Sequence, residues 1–130
     1  MKVFANTDVG LVRQLNEDDY CIAHNANDEW MAIVCDGIGG AKAGEVASHT
    51  AVMTMYEAFM KSPVFEKDRQ VDNWIRENLN QANDFIYSKS LKNFNERGMG
   101  TTAVGSSKLI LGRLFLMWET QESMRIIIMN

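Results

Sequence analysis

The chain has 130 residues and an ordinary composition, with 46% hydrophobic and 23% charged residues, which suits one domain with a moderate core. The net charge is −4 and lysine and arginine form no block, so nucleic acid and anionic membranes are not expected partners. No apolar run is long enough to span a bilayer, and the amino terminus lacks a signal-peptide core. We therefore expect a cytoplasmic protein.

The amino-terminal segment contains a cluster of charged residues. A short strand is predicted at residues 3–6 and a turn at 7–10, after which Arg13 precedes Glu17 and Asp18. Arg13 is close enough in sequence to share a site with both carboxylates. Its guanidinium either forms an ion pair with them or grips a phosphate with two parallel hydrogen bonds.

A β-hairpin is predicted next, and its spacing brings two aspartates together. Turn-forming residues at 25–28 separate apolar runs at 20–23 and 30–35, in which β-branched and aromatic residues favour strands. Asp18 and Asp36 are equally distant in sequence from Asn27 in this turn. If the two runs pair antiparallel, the carboxylates lie side by side at the open end of the hairpin.

Asp36 also opens a glycine-rich corner. Gly37 follows it directly and Gly39 and Gly40 come soon after, so the backbone can bend around an ion or a phosphate. Adjacent carboxylates repel each other and favour a bound cation, and oxygen ligands suit magnesium or manganese. An aspartate before a glycine is usually only a turn, but the mirrored spacing of the two carboxylates favours a cation site.

Two amphipathic helices are predicted after the corner, at about residues 44–61 and 69–91. Apolar residues recur every three or four positions along both helices. The first stripe consists of Ala47, Ala51, Met55 and Ala58 or Phe59. The second consists of Val71, Ile75, Leu79, Ala82 and Ile86, widened by Trp74 and Phe85. Both stripes need an apolar surface to cover, and the sheet of the hairpin provides it.

Three further residues with reactive side chains receive structural interpretations. Cys21 and Cys35 fall in predicted strands and in no metal-binding spacing, so we expect buried, reduced thiols. His49 lies on the first helix with no partner that the sequence identifies. We interpret it as a solvated or packed histidine rather than a ligand.

Four short motifs occur in order along the chain. They are T-D-x-G-x-x-R-x-x-N-E-D at 7–18, V-x-D-G-x-G-G at 34–40, G-E-x-A-S at 44–48 and G-M-G-T-T at 98–102. In this order and spacing they resemble the metal-dependent protein phosphatase family of type 2C, especially its bacterial serine/threonine members.

The resemblance implies a fold and a reaction. The fold class is α+β, an antiparallel β-sheet with two packed amphipathic helices, which is part of a four-layer α-β-β-α sandwich. The reaction is hydrolysis of phosphoserine and phosphothreonine by water bound between two manganese or magnesium ions. The implied partner is a phosphoprotein, with the targets of a serine/threonine kinase as the default expectation.

The resemblance also assigns roles to individual residues. Asp18 and Asp36 would be metal-ligand carboxylates, and Gly37 would offer its carbonyl oxygen to one ion. Glu17 would hold metal-bound water, and Arg13 would bind the substrate phosphate. The implied catalytic residues are therefore Arg13, Asp18 and Asp36.

The family pattern stops after Val104. We expect residues 1–105 to be the amino-terminal part of a phosphatase domain and residues 106–130 to be a divergent tail. The sequence lacks the V-G-D-S-R motif and the two later metal-binding aspartates that the family would supply. Apolar runs at 114–118 and 126–128 still favour strands.

The codons of the tail permit the missing motif in a neighbouring reading frame. Met117-Trp118-Glu119 must be encoded ATG-TGG-GAR. A frame that starts one base earlier reads x-AT, GTG and GGA, so Val-Gly is obligatory and the next codons permit Asp, Ser and Arg. We interpret this as a slip of the reading frame between about Gly105 and Gly112, through a frameshift or a sequencing error.

Two functional hypotheses follow from the sequence. The first is a protein serine/threonine phosphatase, represented by its amino-terminal half. The second is a catalytically inactive phosphatase-like fragment that acts at most as a binding module. The missing acidic pair separates them, because two carboxylates and one glutamate rarely hold two divalent ions.

Overall fold

The computed structural model describes residues 18–39, 41–92, 100–108, 113–120 and 123–129. The strand predicted at 3–6 and the predicted site residues Arg13 and Glu17 lie outside these ranges. Two helices and five strands form in the described part of the chain. They are β1 (Asp18–His24), β2 (Trp30–Ile38), α1 (Ala41–Met60), α2 (Asp68–Lys92), β3 (Gly100–Lys108), β4 (Arg113–Thr120) and β5 (Ser123–Met129).

The five strands form one sheet in the order β1-β2-β3-β4-β5, and every neighbouring pair is antiparallel. The runs predicted at 114–118 and 126–128 lie within β4 and β5, so both are confirmed as strands. Helix α1 packs across β1, β2 and β3, and α2 packs on α1. The predicted α+β class, with an antiparallel sheet and two packed helices, is confirmed.

The turn between β1 and β2 is held by the side chain of Asn25. Its Oδ1 accepts hydrogen bonds from the backbone N–H groups of Asn27 at 3.0 Å and Glu29 at 3.1 Å. Its Nδ2 donates to Glu29 Oε1 at 2.9 Å. Asp28 has a φ of 58°, a left-handed conformation that short polar residues tolerate in turns. These local contacts set the register in which the two strands meet.

The core lies between the sheet and the helices. Along β2, Met31, Ile33 and Cys35 face the helices and are at most 1% exposed. The apolar stripe of α1 is confirmed, with Ala47, Ala51, Met55 and Phe59 fully buried. The stripe of α2 is also confirmed, with Val71, Ile75, Leu79, Ala82 and Ile86 buried.

The prediction that Trp74 and Phe85 widen the apolar stripe of α2 is confirmed for only one of the two residues. Trp74 is partly buried against the core and meets the ring of Phe65, with 6.1 Å between the ring centroids. Phe85, however, is 46% exposed. It lines a groove of about 500 Å³ between the two helices, together with residues such as Met53 and Lys89. An apolar residue beside a helical stripe is thus not always part of the core.

Neither helix in the described ranges combines the length and the hydropathy that crossing a membrane requires.

Candidate metal centre

The register of the first hairpin brings the two predicted carboxylates together. Asp18 on β1 lies directly opposite Asp36 on β2, so the predicted juxtaposition is confirmed. Both residues are exposed, and they point away from the helices because neighbouring Asp19 and Cys35 face them. Directly opposed residues on one face have their Cβ atoms about 5 Å apart. Their roles as metal ligands remain predictions.

The glycine corner follows at the end of β2. Gly37 is buried and lies opposite Thr101 of β3. Gly39 has a φ of 132°, in a region that a side chain would make costly. The corner therefore depends on glycine at position 39, as the sequence predicted. Gly40 lies outside the described residues.

Beneath the corner, Thr101 connects β3 to the backbone of Asp36. Its side chain is fully buried. The hydroxyl lies 3.2 Å from the carbonyl oxygen of Asp36 and 2.9 Å from the carbonyl oxygen of Thr102. The sequence analysis placed this threonine only in the G-M-G-T-T motif, and nothing in the sequence indicated that its side chain would reach a neighbouring strand.

A second contact that the sequence did not predict lies on the face of the hairpin that is turned toward the helices. His49 Nδ1 lies 2.9 Å from Asp19 Oδ2, with 66% of the histidine side chain and 31% of the aspartate side chain exposed. The exposed ring agrees with the interpretation of His49 as a solvated histidine, and Asp19 is a partner that the sequence did not identify. Strand alternation places Asp19 on the helix side, but only the packing of α1 decides which helical residue lies above it.

The two cysteines are free thiols, as expected, but they differ in environment. Cys35 is buried and Cys21 is half-buried. Burial raises the pKa of the Cys35 thiol to about 12, the nearby charge of Asp19 adds to the rise, and a hydrogen bond with Thr101 partly offsets it. Burial and Asp19 also raise the pKa of Cys21. Both thiols are therefore protonated and unreactive at neutral pH.

The donor chemistry of the hairpin end fits a hard divalent cation. Two carboxylates at one register position supply oxygen ligands, and Mg²⁺ is often held by one or two carboxylates with water in the remaining positions. Within the described ranges, no cluster of three or more His, Cys, Asp or Glu side chains could hold a metal. The residues present therefore fit one part of a metal site.

The sequence profile of the family described as Protein phosphatase 2C matches residues 10–108. The chain belongs to the protein phosphatase 2C family. The matched range contains the positions of the five predicted site residues, Arg13, Glu17, Asp18, Asp36 and Gly37, whose roles remain predictions.

Among curated proteins, the chain is similar to bacterial phosphatases. It is 32% identical over 100 residues to the serine/threonine phosphatase Stp of Listeria welshimeri. The aligned region covers 77% of this chain and 40% of that protein. It is 32% identical over 102 residues to the protein phosphatase PhpP of Streptococcus pneumoniae, covering 78% and 41%. This family member thus spans about 40% of the length of the curated relatives it matches.

Solved phosphatase structures share the fold. The serine/threonine phosphatase Stp1 from Staphylococcus aureus superposes with a TM-score of 0.77 at 28% identity, covering 94% of this chain and 50% of that one. The catalytic domain of the phosphatase PstP, solved in complex with two manganese ions, gives a TM-score of 0.65 at 28% identity, covering 86% and 44%. The described elements therefore correspond to about half of a phosphatase 2C domain.

Proposed function

We propose that this chain contributes the amino-terminal half of a metal-dependent protein serine/threonine phosphatase. Its substrates would be proteins phosphorylated on serine or threonine, and the targets of a serine/threonine kinase are the first to test. The observation that carries the proposal is the register pair of Asp18 and Asp36. It supports a cation site at the hairpin end, where the family motifs also predict one. We propose that the protein acts in the cytoplasm.

Each predicted residue has a distinct task in this proposal. The carboxylates of Asp18 and Asp36 and the carbonyl of Gly37 would bind divalent cations. Glu17 would hold a water molecule, and Arg13 would hold the substrate phosphate through two parallel hydrogen bonds, which aligns it for attack. When bound, two manganese or magnesium ions lower the pKa of water and neutralise charge that develops on the phosphoryl group.

A phosphatase-like fragment without activity is the second candidate. The observation that favours it is the small number of ligands, because the part of the chain that the structure describes contains no cluster of three acidic, histidine or cysteine side chains able to bind a metal. Two carboxylates with one glutamate are few ligands for two divalent ions. We expect the 130-residue chain to bind a cation but to turn over little or no substrate.

Hydrolysis of p-nitrophenyl phosphate, with and without manganese, separates the two candidates. The 130-residue chain is compared with a chain in which the neighbouring reading frame is restored, and with the Asp36→Asn variant of the restored chain. We expect manganese-dependent hydrolysis only from the restored chain with Asp36 intact. Turnover by the short chain would exclude the inactive fragment, and an inactive restored chain would contradict the phosphatase assignment.

We also propose that residues after about 105–112 are read in a shifted frame, so that 1–105 and 106–130 differ in origin. The family match ends at residue 108, inside the interval in which the codons place the slip. Strands β4 and β5 are compatible with this origin, because short apolar runs pair into sheets through general hydrophobicity and β-propensity.

The nucleotide sequence of codons 105–124 tests this second proposal. We expect the frame that starts one base earlier to encode Val-Gly-Asp-Ser-Arg across the codons of residues 117–122. Codons that do not permit Asp, Ser and Arg at those positions would rule the slip out.

A further inference from the structure

We infer that Thr101 is a positioning residue that fixes the backbone of the Asp36–Gly37 peptide for cation binding. The inference rests on the proposed function, since it assigns a role to a residue that does not itself contact the cation. Thr101 lies on the helix side of the sheet and is fully buried, whereas Asp36 lies on the opposite, exposed face. The connection runs through the carbonyl oxygen of Asp36, 3.2 Å from the threonine hydroxyl.

The contact lies beside a stretch of backbone that is rich in glycine. Gly37 directly follows the aspartate and Gly39 adopts a φ of 132°. Glycine populates more backbone conformations than any other residue and therefore loses more entropy when it is ordered. A hydrogen bond to the carbonyl that precedes Gly37 limits the rotation of that peptide plane. It thereby restrains the peptide that connects the two proposed ligands, the carboxylate of Asp36 and the carbonyl of Gly37.

The threonine hydroxyl is suited to this task by its position in the ladder. Thr101 is the register partner of Gly37, and the next residue, Thr102, is the partner of Asp36. Its single proton has three partners within reach, namely the carbonyl oxygen of Asp36 on β2, the carbonyl oxygen of Thr102 on β3 and the thiol of Cys35. The hydroxyl thus bridges the two strands at the level where β2 ends. Groups that orient metal ligands in this way commonly contribute about 10- to 100-fold to metal affinity.

Two substitutions separate the hydroxyl from the rest of the side chain. Thr101→Val keeps the branched shape and removes the hydroxyl. Thr101→Ser keeps the hydroxyl and removes a buried methyl group, which leaves a small cavity. A purely structural threonine would make both variants less stable without changing cation affinity. If Thr101 is a positioning residue, Thr101→Val should weaken cation binding, whereas Thr101→Ser should mainly lower stability.

The helix provides a matched control. The hydroxyl of Thr54 on α1 also donates to a backbone carbonyl, that of Thr50, at 2.7 Å. Thr54→Val therefore makes the same chemical change and removes the same kind of hydrogen bond, away from the hairpin end. We expect this variant to bind the cation as the unaltered chain does.

The experiment measures Mn²⁺ dissociation constants for the four chains, from the electron paramagnetic resonance signal of the free ion. We expect Thr101→Val to bind Mn²⁺ about tenfold more weakly, and Thr101→Ser and Thr54→Val to match the unaltered chain. The carbonyl ¹³C shift of Asp36, measured without metal, should change in the valine variant and stay in place in the serine variant.

The possible failures are distinguishable. If the unaltered chain binds Mn²⁺ and Thr101→Val binds it equally well, the positioning role is wrong and the proposed function stands. If the serine variant loses affinity as the valine variant does, packing rather than the hydroxyl is responsible, and the inference is again overturned. If the unaltered chain binds no Mn²⁺, the cation site itself is wrong and both proposals fall.

Discussion

The two faces of the β1–β2 hairpin carry different kinds of residue. On the helix side, Met31, Ile33 and Cys35 of β2 are at most 1% exposed and lie within the core. On the other side, Val34 is 55% exposed, and Asp18 and Asp36 stand opposite each other in the open. The first face holds the hairpin in place, and the second face presents two like charges at its end.

The difference between the two faces indicates how the chain tolerates the repulsion between Asp18 and Asp36. Like charges directly opposite each other in a sheet are destabilising, but the cost is small at an exposed position because water screens them. The turn contacts of Asn25 set the strand register and the core residues on the other face maintain it, and neither depends on the aspartates. The hairpin can therefore hold two carboxylates together before any cation is bound, which is the preorganisation that a binding site needs.

The largest expected effect tests the claim that stability comes from the helix side. Phe59→Ala removes a fully buried ring of α1 and should lower the free energy of unfolding by about 3–5 kcal/mol. Val34→Ala, on the open face, should change it by about 0.5 kcal/mol or less. Urea unfolding followed by circular dichroism measures both. Similar losses for the two variants would mean that the open face is also covered.

The next effect tests the claim that chemistry belongs to the open face. Asp36→Asn keeps the shape of the side chain and removes its charge, so we expect Mn²⁺ affinity to fall by more than the about 10-fold expected for Thr101→Val, which only orients a ligand, with no loss of thermal stability. Isothermal titration calorimetry and a melting curve give the two readouts. Asp28→Asn is the control, since Asp28 is exposed in the turn at the far end of the same hairpin. Equal losses of affinity in both variants would exclude a localised site.

The free energy of unfolding should also depend on alkaline pH, because Cys35 is buried on the helix side of the sheet. Its pKa is raised from 9.0 to about 12 in the folded chain, so between these values the folded state keeps a proton that the unfolded state releases. The free energy of unfolding should therefore fall with rising pH, and Cys35 should contribute up to about 1.4 kcal/mol per pH unit. Below pH 9 this contribution to the slope vanishes.

The check compares unfolding between pH 8 and 11 for the unaltered chain and Cys35→Ala. Other titrating groups are common to both chains, so the difference in slope isolates this thiol. Identical slopes would contradict a buried, protonated Cys35.

The smallest expected effect concerns the turn that sets the register. Asn25→Ala removes hydrogen bonds to the backbone of Asn27 and Glu29 and to the side chain of Glu29. It should cost about 1–2 kcal/mol. Asn27→Ala is the control, because the contact of that residue in the turn is made by its backbone. Equal costs, measured by urea unfolding, would show that the asparagine side chain does not stabilise the turn.

The features predicted correctly from the sequence depend on local rules. Turn residues and strand alternation determined that Asp18 would meet Asp36, and helical periodicity identified the buried stripes. The features that the sequence missed depend on how separate elements pack. The contact between His49 and Asp19 requires the position of α1 over the sheet. The contact between Thr101 and the carbonyl of Asp36 requires the register of a strand 65 residues away.

Paramagnetic broadening by Mn²⁺ tests the central claim most directly. Substoichiometric Mn²⁺ is added to the ¹⁵N-labelled chain, and the loss of each amide signal is recorded. We predict that Asp18, Asp36 and their neighbours Asp19 and Gly37 lose intensity first, while amides at the turn end near Asp28 keep theirs. Broadening centred on other acidic residues, or spread evenly over the chain, would contradict a cation site at the open end of the hairpin.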